Sequence, residues 1–203
     1  MGTKTGERRL QILQTLAEML ESPKGEKITT AALAARLDCS EAALYRHFAS
    51  KAQMYDGLIE FIEQSLFGVI NQITRDEAQG LKQTELIIGL LLQFAQKNRG
   101  MTRVLTGDAL VHEHERLQNR INVLLEKIEA ALKQALKISA TQGVLKSDAD
   151  FGALANLMRC YCVGRWEQFA RSGFTQEPLA QWPRQWPMLY YACLSQAEEP
   201  ATA

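Results

Sequence analysis

SEAALYRHFASK, residues 40–51, sets a serine, two apolar anchors and a run of polar side chains within twelve positions. Ser40 is suited to cap a short helix running through about His47, because its hydroxyl can accept from a free backbone N–H in the first turn. Leu44 and Phe48 stand four apart and so share one helical face. Ala42, Tyr45 and Arg46 then point away from that anchor. Working backwards, LDCS (37–40) reads as a tight turn in which Asp38 can take the left-handed conformation. Thr29 or Thr30 caps the stretch TAALAARL ahead of it. Earlier still, RRLQILQTLAEMLES (8–22) places Leu10, Leu13, Leu16, Ala17 and Leu20 on one stripe, and SPKGEK (22–27) ends it with Pro and Gly. Three short helices, the last two joined by a four-residue turn, form a helix-turn-helix arrangement.

The chemistry of the third helix fits a DNA groove. Ala42 and Ala43 are small enough for the backbone to lie near the groove floor. Thr29, Thr30, Tyr45, His47 and Lys51 can donate to phosphate oxygens around it, and Ser40 belongs with that set. Arg46 is the candidate for a guanine edge, since its fork can meet two acceptors at once. Arg8 and Arg9, read as lying just ahead of the first helix, can reach a neighbouring phosphate or the minor groove.

Outward from this head the chain stays at helical period. Ser50 caps a long helix, about 50–75, with Met54, Leu58, Phe61, Ile62, Leu66, Val69, Ile70 and Ile73 on its apolar side. EAQG breaks it, and another helix spans about Leu81 to Lys97. NRG (98–100) interrupts again, followed by a turn of helix to about Thr106. RLQNRINVLLEKIEAALKQAL (116–136) carries a stripe of Leu117, Ile121, Leu124, Leu125, Ile128, Ala131, Leu132 and Leu136, with Glu129 and Lys133 placed as an i,i+4 pair. TQGVLKSDAD (141–150) is a loop. A helix from about Asp148 to Arg171 carries Phe151, Leu154, Ala155, Met158, Cys162, Trp166 and Phe169. A Pro-containing stretch leads to a last helix through about Gln196. The expected organisation is all-α, about nine helices: a DNA-binding domain over 1–51, a helical dimerisation and partner-binding domain over 52–197, and a disordered tail over 198–203.

Composition narrows the classes. The 203 residues carry no net formal charge, so no global basic signal points to nucleic acid. Residues 1–51 hold eight Lys/Arg against six Asp/Glu, a small excess. Cys39, Cys160, Cys162 and Cys193 lack C-x-x-C spacing and read as reduced, mostly packed thiols of a cytoplasmic protein. No signal peptide is read at the start, and ELIIGLLLQFA (85–95) is too short to span a bilayer. His112-Glu113-His114-Glu115 invites a metal reading, but i and i+2 side chains diverge on a helix, so a solvated helix start is expected. Trp166, Trp182, Trp186, Tyr190 and Tyr191 can build the core, a dimer seam or a ligand cavity. Gly164 permits close helix approach across a two-fold axis. No Ser-His-Asp set, phosphate loop or catalytic carboxylate pair can be placed, so neither enzyme chemistry nor a cofactor is expected.

The pattern T-x(4)-A-x(5)-S-x(3)-L-Y-R-H-F-x-S-K at Thr29–Lys51 resembles the signature of TetR-type regulators, in which the turn carries Gly where Asp38 stands and an aliphatic residue where Cys39 stands. The resemblance implies an all-helical homodimer with an N-terminal helix-turn-helix and a larger dimerising domain. ERRLQILQTLAEMLES, ITTAALAARLDCSEAALYRHFASKAQMYDGLIEFIEQSL, GLLLQFAQKNRGMTRVLTGDAL and ERLQNRINVLLEKIEAALKQAL further resemble the nucleoid-occlusion branch of that family. That branch implies binding to palindromic chromosomal sites in double-stranded DNA, as dimers or paired dimers. It also implies capture of the C-terminal tail of FtsZ, disruption of FtsZ polymers and a place on the nucleoid. Phe61, Leu90, Lys97 and Asn98 are the residues that would meet the tail. Where relatives carry Arg late on the fourth helix this chain has Val69, and where they carry Arg after the fifth it has Lys97, so guanidinium forks are absent from both places. The alternative within the family is a ligand-responsive transcriptional repressor. An open pocket beside Trp166 and Phe94 would favour that alternative, and a filled core with a surface groove beside Phe61 and Leu90 would favour nucleoid occlusion.

Overall fold

The computed structural model describes residues 3–22 and 28–195. The expected break at 23–27 and the tail at 198–203 lie outside the described residues. Within them the chain forms nine α-helices and one 3-10 turn, with no strand. They are α1 (Thr3–Met19), α2 (Thr30–Arg36), α3 (Glu41–Tyr45), α4 (Lys51–Asp76), α5 (Gly80–Lys97), α6 (Arg99–Leu105), the 3-10 turn (Asp108–Leu110), α7 (Glu115–Thr141), α8 (Phe151–Arg171) and α9 (Trp182–Ser195). The all-α arrangement expected of the sequence, with three short helices ahead of a long one, is the one found.

The helix boundaries follow local chemistry. Thr29, not Thr30, caps α2 by accepting from Ala32 N, and Ser40, Ser50 and Asp150 cap α3, α4 and α8 in the same way. Asp38 has φ +49°, as the turn requires. The 112–115 segment is not a solvated helix start throughout. His114 caps α7 through Nδ1, which accepts from Arg116 N, and Glu113 is half-buried against Lys51.

One apolar cluster runs from the head into the body. α1 contributes Ile12, Leu16, Ala17 and Leu20. The stripe expected there is corrected on two positions: Leu10 is 42% exposed and Leu13 half-buried, while Ile12 is fully buried. The helix must face α2, α4 and α6 together, which turns its buried side towards the Ile12–Leu16–Leu20 line. Phe61 and Val69 are likewise not core residues, being exposed on α4. In the body, α5 is almost encircled, with Ile87, Ile88, Leu91, Leu92 and Ala95 buried against α4, α7 and α8. The Glu129–Lys133 pair does not form. Glu129 instead accepts from Arg159 Nε at 2.6 Å and Asn156 Nδ2 at 3.1 Å, tying α7 to α8.

Two devices join head to body. Gly100 in α6 lies so close to α1 that an added Cβ would stand 1.8 Å from Ala17 O. Only a residue without a side chain lets the two backbones meet there. The Lys51–Glu113 ion pair is the second, and within the body Asp56 pairs with Arg116 at 2.7 Å and Arg120 at 3.3 Å and Glu63 with Lys127, binding α4 to α7.

Candidate nucleic-acid interface and partner groove

The third helix is held as its spacing requires. Leu44 and Phe48 are buried, and Ala42, Tyr45 and Arg46 face outward, with Tyr45 at 45% exposure. Ala43 is half-buried. The hydroxyls of Thr29 and Ser40 accept from Ala32 N at 3.1 Å and Ala43 N at 3.2 Å. A hydroxyl that accepts in a cap still has its own proton to give, so both can donate to a phosphate.

Four of the expected phosphate donors are engaged inside the protein. Arg8 and Arg9 do not precede the first helix; α1 begins at Thr3, and both lie within it. Arg9 donates to His47 O at 2.5 Å and stacks 4.2 Å above the Phe48 ring. Arg8 donates to Gln11 Oε1 at 2.6 Å and more weakly to Leu37 O at 3.4 Å. Both therefore hold α2 and α3 in place rather than reaching out as free arms. Thr30 Oγ1 donates to Glu41 Oε2 at 2.5 Å. Lys51 is paired with Glu113 and rests 5.6 Å from the Tyr55 ring. His47 is half-buried, and its Nδ1 lies buried with no hydrogen-bond partner. Burial, with the Glu113 charge adding to it, holds the Tyr55 hydroxyl well above the usual tyrosine range, so Tyr55 stays a neutral floor under this junction.

The residues expected to meet a partner lie on α4 and α5, which are joined by only three residues and so run side by side in opposite senses. Phe61, Val69 and Leu86 are 38%, 41% and 38% exposed, and Leu90 is half-buried. Lys97 is exposed at the end of α5, and Asn98 caps that end by donating from Nδ2 to Phe94 O at 2.8 Å. The amide oxygen of Asn98 remains an acceptor at the rim. Exposed apolar side chains on two neighbouring helices, with a cation and an amide where α5 ends, have the composition that suits an amphipathic peptide. The exposure of Leu86 was not read from the sequence, although it stands four before Leu90 and shares its face.

Of the residues that would have lined an internal cavity, Trp166 and Phe94 are packed, whereas Tyr191 is exposed. Trp166 is buried, with Nε1 donating to Leu91 O at 3.2 Å, and Phe94 packs against the same cluster. Trp182, Trp186 and Tyr190 form a ring series with Tyr161, with centroids 5.4–6.1 Å apart. Trp186 and Tyr190 also line an open cleft of about 520 Å³ with Leu81, Lys82 and Glu85. On α8 and α9, Leu157, Met188 and Tyr191 are exposed at 47%, 69% and 72%, beside exposed Cys160 and Gly164. Cys162 and Cys193 are buried thiols, and burial pushes Cys193 up to about 11.

Comparison with known proteins agrees with this architecture. The profile of bacterial regulatory proteins of the tetR family matches residues 17–58, and that of the SlmA-like, tetracyclin repressor-like C-terminal domain matches residues 78–194. The nucleoid occlusion factor SlmA of Alteromonas mediterranea is 51% identical, across 90% of this chain and 94% of its own. The proteins of that name from Marinomonas sp. and Shewanella oneidensis are 47% and 48% identical, across 93% and 92% of this chain and 96% and 95% of their own. Among solved structures, a TetR transcription regulator from Haloarcula marismortui superposes with a TM-score of 0.77 at 15% identity, covering 93% of this chain and 99% of its own. FadR from Bacillus subtilis, solved with stearoyl-CoA, gives 0.73 at 14% identity, covering 89% of this chain and 97% of its own.

Proposed function

The chain belongs to the SlmA family of TetR-type regulators, and on that premise we propose that it is a nucleoid occlusion factor. It is a homodimer that binds palindromic sites in double-stranded DNA, singly or as paired dimers, and captures the C-terminal tail of FtsZ while bound. It thereby disrupts FtsZ polymers over the chromosome and keeps division off the nucleoid. The observation that carries this reading is the exposure of Phe61 and Val69 on the long helix α4 that leaves the head, and of Leu86 on α5 packed beside it.

In this reading α3 enters the major groove. Arg46 meets a base edge, with Ala42 and Ala43 admitting the backbone. Thr29, Ser40 and Tyr45 donate to flanking phosphates. Arg8 and Arg9 serve from within, by holding the recognition helix at the angle it needs. Thr30, His47 and Lys51 contribute only if they exchange their present contacts for phosphate. The exposed faces of α8 and α9 form the dimer seam, with Gly164 allowing the helices of two copies to approach. The tail lies along α4 and α5, with Phe61 and Leu90 as anchors and Lys97 and Asn98 fixing its end. A packed interior around Trp166 favours this reading over a ligand-responsive repressor.

If DNA favours the tail-competent state, tail binding tightens DNA binding by the same factor. The test is fluorescence anisotropy of a labelled FtsZ tail peptide titrated with the protein, with and without a duplex it binds. Binding that strengthens with DNA supports the proposal. Absence of tail binding in both conditions removes it and leaves a repressor. Equal affinity in both removes the coupling alone.

A further inference from the structure

We propose that Glu41 is a specificity-determining residue of the head, which accepts a hydrogen bond from the amino group of a cytosine in the major groove. The inference rests on the DNA-binding reading above and adds to it a residue that the DNA-contacting set does not include. Glu41 opens α3 and is exposed, one turn before Tyr45 on the same side of the helix. Its Oε2 accepts from Thr30 Oγ1 at 2.5 Å, across the turn between the two helices. Among the described residues no cation pairs with it and Oε1 carries no hydrogen bond, so one oxygen is held while the other is open. Among the exposed polar side chains of α3 and its C-cap, Tyr45 and Arg46 are donors, and Glu41 is the one that is purely an acceptor.

A carboxylate in that position is repelled by every phosphate it approaches. It is favourable only where a base edge supplies a donor. The major groove offers two such donors, the N4 amino group of cytosine and the N6 amino group of adenine. Adenine sets its acceptor N7 beside the amino group, against which a second carboxylate oxygen is repelled, whereas cytosine has only C5–H there. Cytosine is therefore the better partner. The bond from Thr30 fixes the side chain before DNA arrives, which lowers the entropy lost on contact. On any other sequence the same charge is unpaired, so it works against wrong sites as well as for the right one.

The test uses the full chain and a duplex pool with a randomised centre, bound duplexes being sequenced for the natural protein, Glu41→Ala and Glu41→Gln. The natural protein should return a palindrome with a C·G pair at one fixed position in each half. Glu41→Ala should lose preference at that position alone and bind unselected duplex about fivefold more tightly, as expected for removing one screened repulsion. Glu41→Gln should move the preference there to A·T, because an amide pairs with adenine N6 and N7. The inference is overturned if both variants return the natural consensus, or if Glu41→Ala weakens every position evenly, which is the mark of a brace between α2 and α3. If the natural protein enriches no sequence at all, the DNA-binding reading itself has failed, a result distinct from either.

Discussion

The reading face of the head and the strip beside α4 are made of opposite materials. In the head, four of the side chains expected to touch DNA are already engaged: Arg9 on His47 and Phe48, Arg8 on Leu37, Thr30 on Glu41, Lys51 on Glu113. What remains outward is a short set around Ala42, Tyr45 and Arg46. On α4 and α5 the exposed Phe61, Val69 and Leu86 are ordered only by the helices that carry them. The contrast follows from the forces used. Hydrogen bonds to base edges are directional and weaken steeply when misaligned, so the helix presenting them must be braced. Apolar burial is non-directional and scales with area, so a strip of side chains on a firm helix suffices.

That contrast can be broken or sharpened by substitution. Phe48→Ala removes the anchor beneath the head and the surface on which Arg9 stacks, and should lower stability by about 3–5 kcal/mol in urea denaturation. Phe61→Ala should change stability far less. Gly100→Ala drives a methyl group into the α1 backbone and should lower stability by about 1–3 kcal/mol, visible as a fall in Tm. Next, Arg46→Ala should weaken binding to a selected duplex by about 1–3 kcal/mol in anisotropy titrations and relax preference at one base, while Phe61→Ala leaves that duplex affinity intact. Lys51→Ala separates two possibilities. Read as a phosphate donor, it should weaken all sequences alike and flatten the salt dependence by about one unit of slope. Held by Glu113, it should change the slope by much less, and the smaller change is expected. A full unit would mean that the ion pair opens on DNA. The smallest effect concerns pH. Cys193, raised to about 11 by burial, binds its proton more tightly folded than unfolded. Its contribution to stability is complete below the ordinary thiol range and is lost as pH rises from there towards 11, so alkaline urea midpoints should fall less in Cys193→Ser than in the natural chain.

What could be read from the sequence was local. Ser40, Asp38 and the Leu44–Phe48 pair lie within eleven residues, and the chemistry of each is decided by near neighbours. The overall helix order was legible for the same reason, since apolar spacing within a helix needs no knowledge of the rest. Arg9 was misread because its partners, His47 and Phe48, are close only after α1 folds back over α3. Lys51 and Glu113 are 62 positions apart, and nothing in either neighbourhood announces the other. Glu129 had a plausible partner at i+4 and was taken instead by Arg159 on the next helix, whose fork holds a carboxylate better than an ammonium does. The exposure of Phe61 was not legible in the sequence. Phe61 and Leu90 sit inside apolar stripes, and only the packing of α4 on α5 decides that Phe61 faces solvent.

The long helix α4 has a geometric consequence. Its 26 residues extend about 39 Å, from the base of the head past Phe61 and Val69. A rod of that length tilted by about 5° about its far end carries its near end roughly 3.4 Å, the rise of one base pair. At Val69, about 10 Å from that far end, the same tilt moves the helix by only about 0.9 Å, so a small displacement there would carry the near end by a whole base-pair rise. Two such arms, one in each copy, would turn the distance between half-sites into a gauge of whether the groove is filled.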